Sequence, residues 1–402
     1  MEEYIWQNDD WPHFTWNADE VRVVSDAAEH RQSELEGAMA ALGFSVHLES
    51  SVSAITSEIE KSAQIEGEHI PQEDIRSSVA RHLGAENILT AEAIQRLNAS
   101  CAAGAENNNF FERKGSGATY SNQISERTSY IVEIVLDAIK NCNVPLTKER
   151  LCGWQSRLFP SGMSGGYKIT TGRYRLDEYG PMRVVSGNMG KENVHYMAPP
   201  AAVLDAEMDR FFSWFNESAS ACGGYPVKSA VAHLYFVSIH PFDDGNGRLA
   251  RILADMILSQ RGGDRLFSMS AHLQKNRAAY YAGLEKAQHG GLDITCWITW
   301  YLTCMTVAID EAMQEIRKTG ERIVFWKKVN EKVPLNERQR TMLDRLLTGW
   351  QGKLTTAKWA QICTCSQDTA SRDINQLIKA GVLEKEAAGG RSTSYVIVRD
   401  IK

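Results

Sequence analysis

The stretch His240-Pro-Phe-Asp-Asp-Gly-Asn-Gly-Arg-Leu-Ala-Arg251 gathers a base, two carboxylates, two glycines and two arginines within twelve residues. Leu249, Ile252, Leu253, Met256 and Ile257 fall at i, i+3, i+4, i+7 and i+8, so a helix begins directly after the glycines. A glycine-bearing loop that feeds a helix N-terminus aims free backbone N–H groups and the positive end of the helix dipole at one spot, and phosphate suits that spot. Gly245 and Gly247 allow close backbone approach where a Cβ would intrude. Arg248 and Arg251, three apart, share a helix face and both reach such an anion. Asp244 offers a hard oxygen ligand to Mg²⁺, which takes carboxylate and phosphate together. His240, at the loop entrance, can accept a proton near neutral pH. Singly, these residues are a helix end, a tight turn and a solvated arginine pair; together they point to phosphate chemistry.

The elements around the loop follow from apolar spacing and breakers. Val227, Val231, Leu234 and Tyr235 give a buried helix face ahead of the motif, and Pro241 ends that helix. Further helices are expected near 18–42, 51–66, 71–82, 127–141, 147–154, 201–216, 247–260, 274–289 and 293–318. Residues 104–126, rich in Gly, Asn and Ser, read as a long loop. Between 161 and 198 the pattern changes to β-prone pieces near 167–175, 182–187 and 193–197, which predicts a hairpin flap within a mainly α protein. After Asn336, three short helices and a final hairpin read as a winged helix-turn-helix, with a linker somewhere in 318–336. The expected domains are an N-terminal helical region at 1–105, a catalytic helical core at 106–318, and linker plus winged helix-turn-helix at 319–402.

Composition sets the bounds. A chain of 402 residues, 43% hydrophobic and 23% charged, has room for two or three folded domains and excludes wholesale disorder. The acidic start lacks an apolar core, so no secretory signal is expected, and the weakly charged run at 294–309 is short for a bilayer. Eight scattered cysteines without a CxxC pair suggest free thiols in a reducing compartment, hence a cytoplasmic location and no membrane partner. The net charge of −6 argues against bulk nucleic-acid binding, yet residues 332–402 hold 12 Lys/Arg against 7 Asp/Glu. There Thr369, Ser371, Arg372 and Asn375 would project from a recognition helix capped by Ser366, toward DNA or a protein partner.

The motif at 240–251 resembles the Fic family signature HPFx[D/E]GNGRxxR and matches it at every fixed position. The resemblance extends over about 110–305, including a flap that begins Gly172-Arg-Tyr-Arg175 and the stretch Asn276-Arg-Ala-Ala-Tyr-Tyr-Ala-Gly-Leu284. It implies a protein adenylyltransferase that moves AMP from Mg·ATP to a Ser, Thr or Tyr hydroxyl of a target protein or of itself. It implies His240 as general base, Phe242 as the inward anchor of the loop and Asp244 as the Mg²⁺ ligand. Gly245, Asn246 and Gly247 would cradle the phosphates, with Arg248 neutralising charge and Arg251 reaching the γ-phosphate. Tyr281 and Gln288 fall where relatives place adenine-pocket residues, although the second position commonly holds Asn. The flap, 172–197, would hold the target by strand addition and is longer than the compact flaps of the family. Ser62-Ala-Gln-Ile-Glu66-Gly67 matches the family's inhibitory motif [S/T]xxxE[G/N], and Ser62 and Glu66, at i and i+4, share a helix face. The implied brake is a Glu66–Arg251 pair that takes the arginine from the γ-phosphate. Three alternatives stay open: a nucleotide-sensing transcriptional regulator, an enzyme with another phosphate-linked donor, and removal of AMP rather than its addition. A second copy of the chain is a further possible partner.

Overall fold

The computed structural model describes residues 4–41, 44–84, 118–178, 180–187, 193–262, 265–347, 350, 352–386 and 393–398. The described residues are mainly helical, with a few short strands. In chain order the elements are α1 (Ala18–Ala40), α2 (Phe44–Ile65), α3 (Gln72–His82), α4 (Ala118–Lys140), α5 (Lys148–Leu158), β1 (Met163–Ser164), β2 (Tyr167–Lys168), β3 (Arg183–Ser186), β4 (Asn193–Met197), α6 (Leu204–Phe215), α7 (Tyr225–Ile239), α8 (Asn246–Ser259), α9 (Met269–Lys275), α10 (Arg277–Gln288), α11 (Thr295–Lys332), α12 (Glu337–Leu347), α13 (Thr356–Ile362), α14 (Gln367–Lys379), β5 (Leu383–Lys385) and β6 (Tyr395–Ile397). Among the described residues, those up to Met313 form one compact unit and those from Gln314 a second.

In the first unit α7 is the central helix, buried from Pro226 through Ile239. Its sequence is apolar nearly all round, which suits a helix with neighbours on every side. Two of the polar groups it takes inside find backbone partners: the Lys228 ammonium donates to the Phe215 carbonyl at 2.8 Å, and the Ser229 hydroxyl to that of Pro226 at 2.7 Å. α8 packs along α7 and is buried almost throughout, its arginines included. α2 lies against α8 through a stripe that contains Ile55, Ile59 and Ala63. Glu58 of α2 accepts hydrogen bonds from the Ser268 hydroxyl at 2.8 Å and the Ser270 amide at 2.9 Å, which ties α2 to the start of α9.

The flap is the antiparallel pair β3–β4, in register Arg183↔Met197 and Val184↔Tyr196, with an irregularity after Val184. Buried Arg175 fastens its base, as shown below. The second unit packs α12, α13, α14 and the β5–β6 hairpin around Met342, Leu343, Leu354, Trp359, Ile374 and Leu377. The Ser366 hydroxyl accepts from the Thr369 amide at 3.2 Å and caps α14. Arg372 and Asn375 are exposed on α14, while Thr369 and Ser371 are half-buried.

Several expected boundaries move. α11 continues past 318 to Lys332, because strong helix formers flank Gly320 and outweigh its cost of about 1 kcal/mol, so most of the expected linker is helix. α4 begins at Ala118 within the expected 104–126 loop, whose residues 104–117 lie outside those described. α2 begins at Phe44 rather than near Ser51, and of the β-prone stretch at 167–175 only Tyr167–Lys168 is strand.

Candidate active site

His240 caps α7 in the left-handed region, φ 52° and ψ 57°. A non-glycine residue there is uncommon and recurs where function demands an awkward backbone. Arg175 holds the conformation: its Nε donates to the His240 carbonyl at 2.7 Å, its Nη2 to the Pro199 carbonyl at 2.5 Å, and its backbone amide to the Pro241 carbonyl at 2.9 Å. The imidazole Nδ1 lies 3.1 Å from the Val237 carbonyl. A carbonyl only accepts, so Nδ1 carries the proton and Nε2 keeps a lone pair, the tautomer a base needs. Burial pushes the His240 pKa down to about 4; Arg175 adds to this, while the Val237 bond, Asp244 and Glu66 oppose it. The ring is therefore neutral at pH 7.

Below it, Phe242 is buried against the rings of Tyr174 and Phe236. The Asn246 side chain staples the loop, accepting from the Phe242 amide at 3.0 Å and donating to its carbonyl at 2.8 Å. Any part of Asn246 in a phosphate cradle is thus played by its backbone. Gly245 has φ 92°, and a Cβ there would stand 2.9 Å from the Phe159 ring. The Asp244 carboxylate is 41% exposed, accepts a hydrogen bond from the Ser164 hydroxyl and lies 3.7 Å from Arg248 Nη2. No cluster of three or more His, Cys, Asp or Glu suited to a metal occurs among the described residues. A lone half-exposed carboxylate fits Mg²⁺, which keeps waters and completes its octahedron with substrate phosphate oxygens.

The two motif arginines are enclosed as well. Arg251, 3% exposed, donates from Nη2 to Glu66 Oε1 at 2.7 Å and to the Ser62 carbonyl at 3.1 Å, and from Nε to the Ser62 hydroxyl at 2.9 Å. Burial opposes its charge, but Glu66, together with Tyr280 and Tyr281, raises the Arg251 pKa above the usual arginine value. Arg248, 5% exposed, donates from Nη1 to Glu68 Oε1 at 3.0 Å and stacks on Phe159. Arg251 Nη1 and Arg248 Nε are buried without a hydrogen-bond partner. The Glu66 carboxylate also lies over the first turn of α8, where a Cβ on Gly247 would come within 2.5 Å of its Oε1. An acidic group thus stands where the helix N-terminus and two arginines would receive a phosphate.

The other expected residues are placed less uniformly. The Tyr281 ring is 38% exposed, and its hydroxyl donates to the Ile65 carbonyl, at the end of α2, at 3.4 Å. Gln288 is buried, its amide 3.4 Å from the Val237 carbonyl and the Ser238 hydroxyl at the end of α7. Sequence reasoning missed Glu68, which stands just past the inhibitory motif, and the clamp made by Arg175. It also missed Gln155, whose amide oxygen accepts from the Gly172 amide at 2.8 Å, and Asp243, which accepts from the Thr170 amide at 2.7 Å. Acidic spacing would have pointed to Glu68; Gln155 carries no such signal.

Residues 145–258 match the Fic/DOC family, and residues 4–85 match a domain of unknown function, DUF4172. Over 116 residues the chain is 34% identical to Protein adenylyltransferase Fic of Aedes aegypti, which covers 29% of this chain and 22% of that protein. Over 93 residues it is 37% identical to Protein adenylyltransferase fic-1 of Caenorhabditis elegans, covering 23% and 17%. The chain thus spans about a fifth of the length of these curated relatives. Among solved structures it is similar to a Fic family protein from Desulfovibrio desulfuricans G20, at 17% identity and TM-score 0.47 over 92% of this chain and 96% of that one. A Fic domain containing signaling protein from Bacteroides thetaiotaomicron VPI-5482 gives 17% identity and TM-score 0.49 over 72% and 97%.

Proposed function

We propose that this chain, which carries a Fic/DOC family domain at residues 145–258, is a protein adenylyltransferase restrained by its own Glu66. The observation that carries this reading is the Glu66 carboxylate on Arg251 at 2.7 Å, over the Gly247 backbone. A γ-phosphate and a carboxylate compete for one guanidinium, so a site built for the first is closed by the second. In the reaction, Nε2 of His240 takes the proton of the target hydroxyl as its oxygen bonds to the α-phosphorus. The bond from that phosphorus to the β-phosphate oxygen breaks, pyrophosphate leaves, and the target carries AMP through a phosphodiester. Neutral His240, with Nδ1 held by Val237, supports its role as base. Asp244 would hold Mg²⁺, which supplies charge neutralisation on the α- and β-phosphates. The α8 N-terminus and Arg248 do the same from the protein side, and in such reactions positioning and neutralisation carry most of the catalysis.

The flap would hold the target segment along an exposed strand edge. Residues 332–402 would serve as a winged-helix module toward DNA or a protein, with Arg372 and Asn375 outward. The test is transfer of label from α-labelled ATP, with UTP and CDP-linked donors beside it, by the parent and by Glu66→Gly. AMP transfer that rises in the variant supports the proposal. Preference for another donor would change the substrate, and equal transfer by both proteins would remove the brake. No helix among the described residues is long and apolar enough to cross a membrane.

A further inference from the structure

We propose that Glu68 is a second carboxylate latch, which closes Arg248 as Glu66 closes Arg251, so that one three-residue segment masks both arginines of the phosphate site. The inference rests on the adenylyltransferase reading and extends its regulation to a residue outside the inhibitory motif.

The segment is fixed by the way α2 ends. Gly67 takes φ 78°, and the Glu68 amide bonds back to the Ala63 carbonyl at 3.0 Å, beside Gly67 to Gln64 at 3.1 Å. This left-handed cap turns the chain so that residues on both sides of Gly67 meet α8. Glu68 Oε1 accepts from Arg248 Nη1 at 3.0 Å, while Oε2 accepts from Arg127 Nη2, on α4, at 2.7 Å. Arg248 is 5% exposed, and its other near carboxylate, Asp244, stands at 3.7 Å from Nη2. Packing does not close this place: a cavity of about 20 Å³, lined by Ile59, Ser62, Glu68, Ile131, Arg248 and Ile252, remains between α2, α4 and α8. That is room for about one water. Glu68 therefore meets Arg248 by charge rather than by shape. A buried guanidinium requires an anion, and a phosphate that arrives must displace the carboxylate already there.

The two latches differ in what they exclude. Arg251 reaches the γ-phosphate, so Glu66 excludes ATP in particular. Arg248 serves the inner phosphates, which ADP shares, so Glu68 excludes both nucleotides. Calorimetric titration of the full-length chain with Mg·ATP and Mg·ADP separates them. Glu66→Gly is expected to tighten ATP by roughly tenfold and leave ADP within about twofold, whereas Glu68→Ala tightens both by about fivefold. Glu68→Gln, which keeps the shape and loses the charge, follows Glu68→Ala and guards against a folding defect. ATP tightened by Glu66→Gly with ADP unmoved by either Glu68 variant would make Glu68 a strap between α4 and α8 and overturn the latch. No change in any variant would overturn the adenylyltransferase brake along with it.

Discussion

At the N-terminus of α8 the arginine side chains are 5% and 3% exposed, whereas the carboxylates that meet them from the end of α2 keep 25% and 29% of their surface in solvent. Arg248 and Arg251 cannot turn away, because α2, α4, α7 and Phe159 enclose them. Glu66 and Glu68 follow the last helical turn of α2, where their own side chains are held by ion pairs and hydrogen bonds between the buried Ile65 and Ile70. The contrast teaches that the arginines are the fixed partners and the carboxylates the exchangeable ones. Two buried cations are costly alone, so the fold supplies its own anions, and on the proposed function a nucleotide would supply others.

The hardest blow to the rigid side is loss of the base. His240→Ala should retain nucleotide binding yet lose AMP transfer by ~10²–10⁴-fold, measured with labelled ATP, and transfer at the parent rate would take His240 out of the mechanism. With His240 pushed down to about 4, the free enzyme needs an unprotonated ring that is already present at neutral pH. Its kcat/KM should hold steady as pH falls through 6.5 and drop only as pH approaches 4; a limb near 6.5 would mean that burial does not control the group.

Next comes the metal side of the loop. Asp244→Ala should abolish Mg²⁺-dependent transfer with an unchanged far-UV spectrum, since the residue lies in a half-exposed loop. Mg²⁺ dependence equal to the parent's would put the ion elsewhere.

The exchangeable side should respond in the opposite direction. Glu66→Gly should raise AMP transfer and self-modification by roughly tenfold. It should also lower stability by about 1–3 kcal/mol, since Arg251 loses its anion, with Mg·ATP restoring the loss. Arg251→Ala should largely cancel the gain, because the freed guanidinium is what the activation works through. Additive effects of the two substitutions would break the comparison drawn above.

The smallest effect belongs to the second unit. If residues 332–402 contact DNA, Arg372→Ala in the full-length chain should weaken duplex binding and reduce its salt slope by about one. An unchanged slope would favour a protein partner.

Local rules account for much of what the sequence determined by itself. Helical period, a proline stop and two glycines place a loop before α8, and these act over a few residues, so the loop-to-helix geometry of 240–251, and with it the proposal of a phosphate site, is legible without a structure. Ser62 and Glu66 are likewise legible as neighbours at i and i+4, although Glu66 lies one residue past the end of α2 and its amide bonds to the Ala63 carbonyl. The breaks at α4 and α11 fall elsewhere than expected because polar composition near 118–126 and a single Gly320 signal loop while the backbone continues as helix. What only the tertiary structure decided is which distant parts meet. Arg251 finds Glu66 across 185 residues and Arg248 finds Glu68 across 180. No periodicity reports that meeting. It follows from Ile59 and Ala63 packing on the core and from Glu58 holding the start of α9. The Arg175 clamp on His240 has the same origin, for a buried guanidinium goes wherever folding leaves unpaired carbonyls within its reach.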